Sequence, residues 1–184
     1  MIEPVALLLI ELGAREIDHP GGTLLAHLHR VHDLLADWGA RPALQLAGLG
    51  HACYGTDGFA PSLLSLDERD RLVAVVGAEA EAIAYRYASC DRSYTYAHLV
   101  DDADQFRDRF AGVVTSPTLD QRRDFAELTA ANELDLVRVN PELRERYGPG
   151  LRRLFTRLRP LLSEAARRAC DDGLPPADAS ERLR

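Results

Sequence analysis

Two of the six histidines fall where a helix would carry them inward. His27 stands three residues after Leu24 and four before Val31, so on a helix it shares their apolar face while His29 is turned away. His51 follows Ala47 by four residues, at the end of a stretch (Ala43, Leu44, Leu46, Ala47, Leu49) that is apolar nearly all round. A buried imidazole needs partners for both ring nitrogens; a shared metal ion, a carboxylate or separate backbone carbonyls all supply them. Asn132 interrupts an apolar stripe of Phe125, Leu128, Leu136 and Val139, and its amide is expected to face the histidines or to bond a neighbouring backbone. Tyr54 and Thr56, just after His51, are placed either to orient a substrate and stabilise developing charge or to pin their loop. Glu81 lies beside Ala82, Ile83 and Tyr85; it reads as a pocket carboxylate able to act as base or ligand, or as a helix-start glutamate favoured by the macrodipole. His29, His32 and His98 read as surface or hydrogen-bonded residues. Cys53 and His51 diverge by too much on a helix to form a nucleophile–base pair.

The elements that would position these groups are helical. Leu24, Leu25, Leu28, Val31, Leu34, Leu35 and Trp38 predict an amphipathic helix over 23–38, set off by Pro20-Gly21-Gly22 and closed by Gly39. Pro42 opens a buried helix over 42–53, followed by loop chemistry at Tyr54-Gly55-Thr56-Asp57-Gly58. Ser65 and Glu68 form a capping-box pattern for a helix to Val76, and Gly77 separates it from another over 78–88. Tyr94, Thr95 and Tyr96 allow a short extended piece within 89–100, and a short helix is expected near 102–111. Thr118 and Gln121 cap a long helix to Val139, Asn140-Pro141 begins a short turn of helix, and Leu151 to Cys170 predicts a basic helix broken or kinked at Pro160. The expected organisation is an all-α, single-domain bundle of about seven to nine helices. Within it, residues 1–18 pack on a core over 19–140, 141–170 form a helical extension, and 171–184 a disordered tail.

Composition limits the partners. A net charge of −7 argues against a polyanion-binding surface, since nucleic-acid and anionic-membrane binders carry basic patches. The arginines at 152, 153, 157 and 159 read as the solvated face of the last helix. No apolar run reaches the roughly 18–20 residues of a membrane span, and Val5–Leu12 is too short for a signal peptide, so a cytoplasmic protein is expected. Cys53, Cys90 and Cys170 are far apart and suggest neither a disulfide framework nor a zinc knuckle.

The stretch from His27 to Leu35, followed by Leu46-Ala47-Gly48-Leu49-Gly50-His51, resembles the first half of the HD-domain superfamily, where a helix-borne His precedes a buried helix ending in His-Asp. Val76-Gly77-Ala78-Glu79-Ala80-Glu81 is similar to the helix start that follows in alarmone-hydrolase-type members. Thr129-Ala130-Ala131-Asn132 lies where those proteins present an Ala-Asp to the metal. More narrowly, His19-Pro20-Gly21-Gly22-Thr23-Leu24 and His51-Ala52-Cys53-Tyr54-Gly55-Thr56 resemble a family of uncharacterised bacterial HD-like proteins with an H-x-x-YGT signature. The resemblance spans roughly residues 19–140 and implies an HD-like fold with a divalent ion (Mn, Fe or Zn) held by His27, His51 and Asn132. The departures are Ala52 and Asn132, which stand where the two aspartates belong and leave a neutral set. Burying a divalent cation there requires Asp57, Glu81 or His19 as a further ligand. The acidic pair of alarmone hydrolases is replaced by Tyr54-Gly55, so that activity is not expected.

The leading expectation is metal-dependent hydrolysis of a small molecule, with phosphohydrolysis as one form and Glu81 or Asp57 handling protons. Three alternatives accompany it. One is a metal-independent lyase, isomerase or cyclase in which His27 and His51 are acid and base, assisted by Tyr54 and Asn132. The others are an iron-dependent oxygenase and a non-catalytic ligand- or protein-binding module. The expected partner is a small-molecule substrate, with neither nucleic acid nor membrane, and a homodimer is compatible with the reading.

Overall fold

Apolar periodicity becomes helix along most of the described chain in a computed structural model, which describes residues 2–100 and 105–175. Helix α1 (Glu3–Glu11) has Pro4 in its first turn, where a missing N–H costs nothing, and buries Val5, Leu8 and Leu9. The chain then reverses through a two-residue-per-strand hairpin, β1 (Asp18–His19) paired antiparallel with β2 (Gly22–Thr23). At its tip Gly21 has φ 81°, and a Cβ there would come within 2.8 Å of Val139. Only glycine supports both the turn and that approach, which is what fixes His19 against the helices.

Helix α2 (Leu24–Asp37) starts at Thr23, whose hydroxyl accepts from the Ala26 N–H at 3.3 Å. Helix α3 (Pro42–Gly50) packs on it so closely that a Cβ on Gly48 would lie 2.8 Å from Leu35 Cδ1. α4 (Arg69–Val76), preceded by a capped 3₁₀ turn at Leu66–Glu68, is divided from α5 (Ala78–Ser89) by Gly77 at φ 84°. The 21-residue α7 (Leu119–Val139) crosses α2 and α5 with eleven buried residues and provides the floor of the interior. The core is continuous from α1 through Leu151, Phe155 and Leu158 to Leu174, so residues 141–175 belong to the same packed body.

The chain is all-α apart from two small hairpins, with nine α-helices among the described residues. Several boundaries differ from the sequence-based expectation. Residues 92–98 form helix α6 (Arg92–His98) instead of an extended piece, because Asp91 Oδ1 accepts from the Tyr94 N–H at 3.1 Å and caps it. The helix expected near 102–111 lies partly outside the described residues. From 106 on, the chain is a hairpin of β3 (Phe106–Asp108) and β4 (Val113–Thr115). Its turn is made by Asp108 Oδ1, which accepts from the N–H groups of Phe110 and Ala111, and by Gly112 at φ 70°. α8 (Pro141–Leu158) is one helix instead of a short turn, capped by Asn140 and carrying Pro149 within it. Pro160 sits in a 3₁₀ turn, after which Ser163 caps α9 (Glu164–Gly173). Residues 171–175 are not the disordered tail expected from Asp171 on, since Leu174 is buried and its carbonyl accepts from Arg152; residues 176–184 of that expectation lie outside the described residues. Among the described residues no helix is long and apolar enough to cross a membrane.

Candidate active site

Two helical turns face each other across the α2–α7 contact, and each contributes a pair spaced by three residues: His27 and Arg30 from α2, Asn132 and Asp135 from α7. His27 is 1% exposed. Its Nδ1–H donates to Asp135 Oδ2 at 2.6 Å, and its Nε2 lies 3.1 Å from Asn132 Oδ1. Arg30 grips the same carboxylate through both branches, Nε to Oδ1 at 2.7 Å and Nη2 to Oδ2 at 2.9 Å, and reaches the Pro20 carbonyl in the hairpin. Burial pushes the Asp135 carboxyl up, but the hydrogen bonds from His27 and Arg30 outweigh it and hold the group below the ordinary aspartate value. Asp135 is thus an ionised carboxylate shared by two donors.

The Asn132 amide is oriented by its other end, where Nδ2 donates to Glu133 Oε1 at 3.2 Å. Its carbonyl oxygen therefore faces His27, so each nitrogen of the ring has an acceptor beside it.

His51 leaves α3 with its Nδ1–H donated to the Gly48 carbonyl at 2.7 Å, so Nε2 carries the lone pair. Its ring meets those of His27 and Tyr87 edge-on, at 5.3 and 5.2 Å between centroids. Burial, then the neighbouring charge of His27, pushes it down to about 3. His19 stacks on His27 with centroids 4.1 Å apart, and burial followed by His27 pushes it down to about 4. His27 is consequently wedged between two imidazoles that stay neutral.

These rings enclose a cavity of about 60 Å³, completed by Ala52, Thr56 and Asn132. Phe59, Arg92 and Leu136 border both this cavity and a larger cleft of about 580 Å³. The structure thus brings His19, His27, His51, Thr56 and Asn132 together. It does not bring Tyr54, Asp57 or Glu81 to the cavity. Glu81 faces α4, where both carboxylate oxygens accept from Arg69 at 2.7 Å and Oε1 also accepts the Tyr54 hydroxyl at 2.8 Å. Asp57 Oδ2 accepts the Arg92 backbone N–H at 2.8 Å, at the start of α6. Each of these carboxylates is committed to holding elements together. His32, in turn, is buried and bonded to Asp33.

The residue missing from the sequence reading is Asp135. Its signal was present: it follows Asn132 by three residues, just as Arg30 follows His27, so the pocket set is not the neutral one expected from Ala52 and Asn132. A metal ion fits this donor set poorly. Among the described residues no three His, Cys, Asp or Glu side chains are grouped to hold an ion, Asp135 is held by Arg30, and the Nδ1–H bonds of His27 and His51 leave only their Nε2 atoms as nitrogen donors.

A family model described as a domain of unknown function (DUF6817) matches residues 8–92. That stretch carries His19, His27 and His51 and ends before α7, so Asn132 and Asp135, which bond the His27 ring, lie beyond it. No curated protein and no solved structure matches the chain.

Proposed function

We propose that the chain is an enzyme that moves protons on a small molecule without a metal, as in a lyase, isomerase or cyclase. The observation that carries this reading is the 2.6 Å bond from His27 Nδ1–H to Asp135, with Arg30 fixing the carboxylate from its far side. An ionised carboxylate on Nδ1 orients the ring and stabilises its protonated form, leaving Nε2–H available to a substrate that displaces the Asn132 carbonyl. His51 offers a lone pair on Nε2 in the same cavity. Hydrogen bonding divides acid from base: His27, whose Nδ1–H is held by Asp135, is the donor, and His51, with its lone pair on Nε2, the acceptor.

At about 3, His51 is a weak base while His27 is charged. That weakness is partly coupled to its partner, since the His27 charge is the second largest influence depressing it. Donation of the Nε2 proton by His27 removes this charge and makes His51 more basic as the substrate needs to lose a proton. Asn132 and Thr56, which line the cavity, supply hydrogen bonds to the reacting group.

The test is metal analysis of the purified protein together with ¹⁵N-resolved imidazole NMR. The expected result is substoichiometric metal, a His27 ring protonated on both nitrogens and a His51 ring carrying only Nδ1–H. Stoichiometric metal lost in His51→Ala would overturn the proposal in favour of the metal-dependent hydrolase that the HD resemblance implies.

A further inference from the structure

The larger cleft runs between the β1–β2 hairpin, the Gly58-Phe59 loop, α7 and α8, and meets the histidine cavity at Phe59, Arg92 and Leu136. Its volume of about 580 Å³ is in the range of small-molecule sites. The walls are mainly apolar: Pro20, Phe59, Leu136, Leu143, Leu151 and Leu154. The two charged side chains that line it neutralise each other, with Arg92 Nη1 donating to Glu133 Oε1 at 3.1 Å and Nη2 donating to the Tyr87 hydroxyl at 3.3 Å. A bound anion would have to compete with Glu133 for Arg92 and would then sit beside that carboxylate. A cation would meet Arg92.

Two polar atoms break the pattern. The Tyr96 hydroxyl and His19 Nδ1 are buried without a hydrogen-bond partner, and both side chains line the cleft. A buried polar group left unpaired is costly, which makes each of them a place where an incoming ligand gains affinity. Tyr96 can donate to a carbonyl or hydroxyl oxygen, and His19 Nδ1 can pair with a hydroxyl or an ordered water beside it.

We propose that this cleft is the substrate-binding site and that it selects an uncharged molecule with an apolar body and a carbonyl or hydroxyl oxygen held by Tyr96. The apolar body lies along Leu143, Leu151 and Leu154, and the oxygen-bearing end points toward His27 and His51. This rests on the acid–base reading of the histidine cavity for its orientation, whereas the binding itself does not.

The experiment is titration of the intact protein with methyl octyl ketone, decanoate and decylamine of matched chain length, each below its aggregation threshold, followed by calorimetry and protein-observed NMR. The ketone is expected to bind at least tenfold more tightly than either charged probe, with Overhauser contacts from its chain to the Leu143 and Leu154 methyls. Tyr96→Phe is expected to weaken it five- to tenfold, and Leu154→Trp, which fills the cleft, to abolish it. Should Leu154→Trp fail to fold, the Overhauser contacts in the unaltered protein still decide the location. Tighter binding of decanoate or decylamine, no binding of any probe, or ketone contacts elsewhere overturns the proposal. Ketone binding in a protein that proves to hold a metal would refute the acid–base reading alone. A metal-free protein with a doubly protonated His27 and no ketone binding would refute the cleft alone.

Discussion

Replacing His51 by Asn tests the charge logic of the cavity through folding stability. The Asn amide can still donate to the Gly48 carbonyl, as Nδ1–H does in the native protein at 2.7 Å, but it does not titrate. In the unfolded chain His51 takes a proton near 6.5, whereas in the folded protein it resists protonation down to about 3. Between those values the unfolded state holds one more proton, so the stability contributed by His51 is complete above 6.5 and is lost as pH falls toward 3. Each pH unit in that window corresponds to about 1.4 kcal/mol for one proton. Urea unfolding at pH 6.5 and 4.5 is the assay. Carboxylates lose stability in both proteins over this interval, so the informative quantity is the difference in slope. The native protein is expected to lose about 2–3 kcal/mol more than His51→Asn between the two pH values. Equal slopes would mean that His51 protonates in place, and the division into one charged and two neutral imidazoles would fall with it.

Asp135→Asn leaves the Arg30 and protonated His27 charges without their shared carboxylate, and is expected to cost about 3–5 kcal/mol in urea unfolding, with the His27 ring reverting to a single proton by NMR. Glu81→Gln breaks the pairing with Arg69 and Tyr54 but lies away from the cavity. It should lower the melting temperature while leaving the His51 proton signals in place, and a shift of those signals would bring Glu81 back into the site. Gly48→Ala places a methyl 2.8 Å from Leu35 Cδ1 and forces that fully buried side chain to repack, and is expected to destabilise by roughly 1–3 kcal/mol despite the better helix propensity of alanine; an unchanged thermal melt would show that Leu35 can turn aside without cost.

The helices were legible wherever a long apolar period met a capping or breaking signal, as after Pro20-Gly21-Gly22, at Ser65 with Glu68, and at Thr118 with Gln121. His27, His51 and Asn132 were legible for the same reason, because helical spacing fixes which face a side chain takes. The parts that were not legible depend on tertiary partners. Tyr94, Thr95 and Tyr96 look extended by local preference, yet Asp91 caps them into a helix that packs under the β3–β4 hairpin. Glu81 has the burial expected of a pocket carboxylate, but burial alone does not say that Arg69 and Tyr54 have claimed it. Asp135 was hidden by the opposite problem: a charged residue in a long helix reads as solvated until the Arg30 that neutralises it, more than a hundred positions earlier, is in place.

The imidazoles and the groups that bond His27 come from four separate pieces: His19 from a hairpin, His27 from α2, His51 from the end of α3, and Asn132 with Asp135 from α7. His27 and Asp135 are 108 residues apart in the chain. Their meeting closes one of the largest loops in the molecule, and such closures come late when a chain folds. A collapsed chain that has formed its helices but has not docked α7 and the hairpin owns every functional side chain and no site. The imidazoles therefore act as an internal clock for the last stage of folding: in a refolding experiment the far-ultraviolet dichroism of the helices is expected to recover before His51 regains its single, non-titrating tautomer.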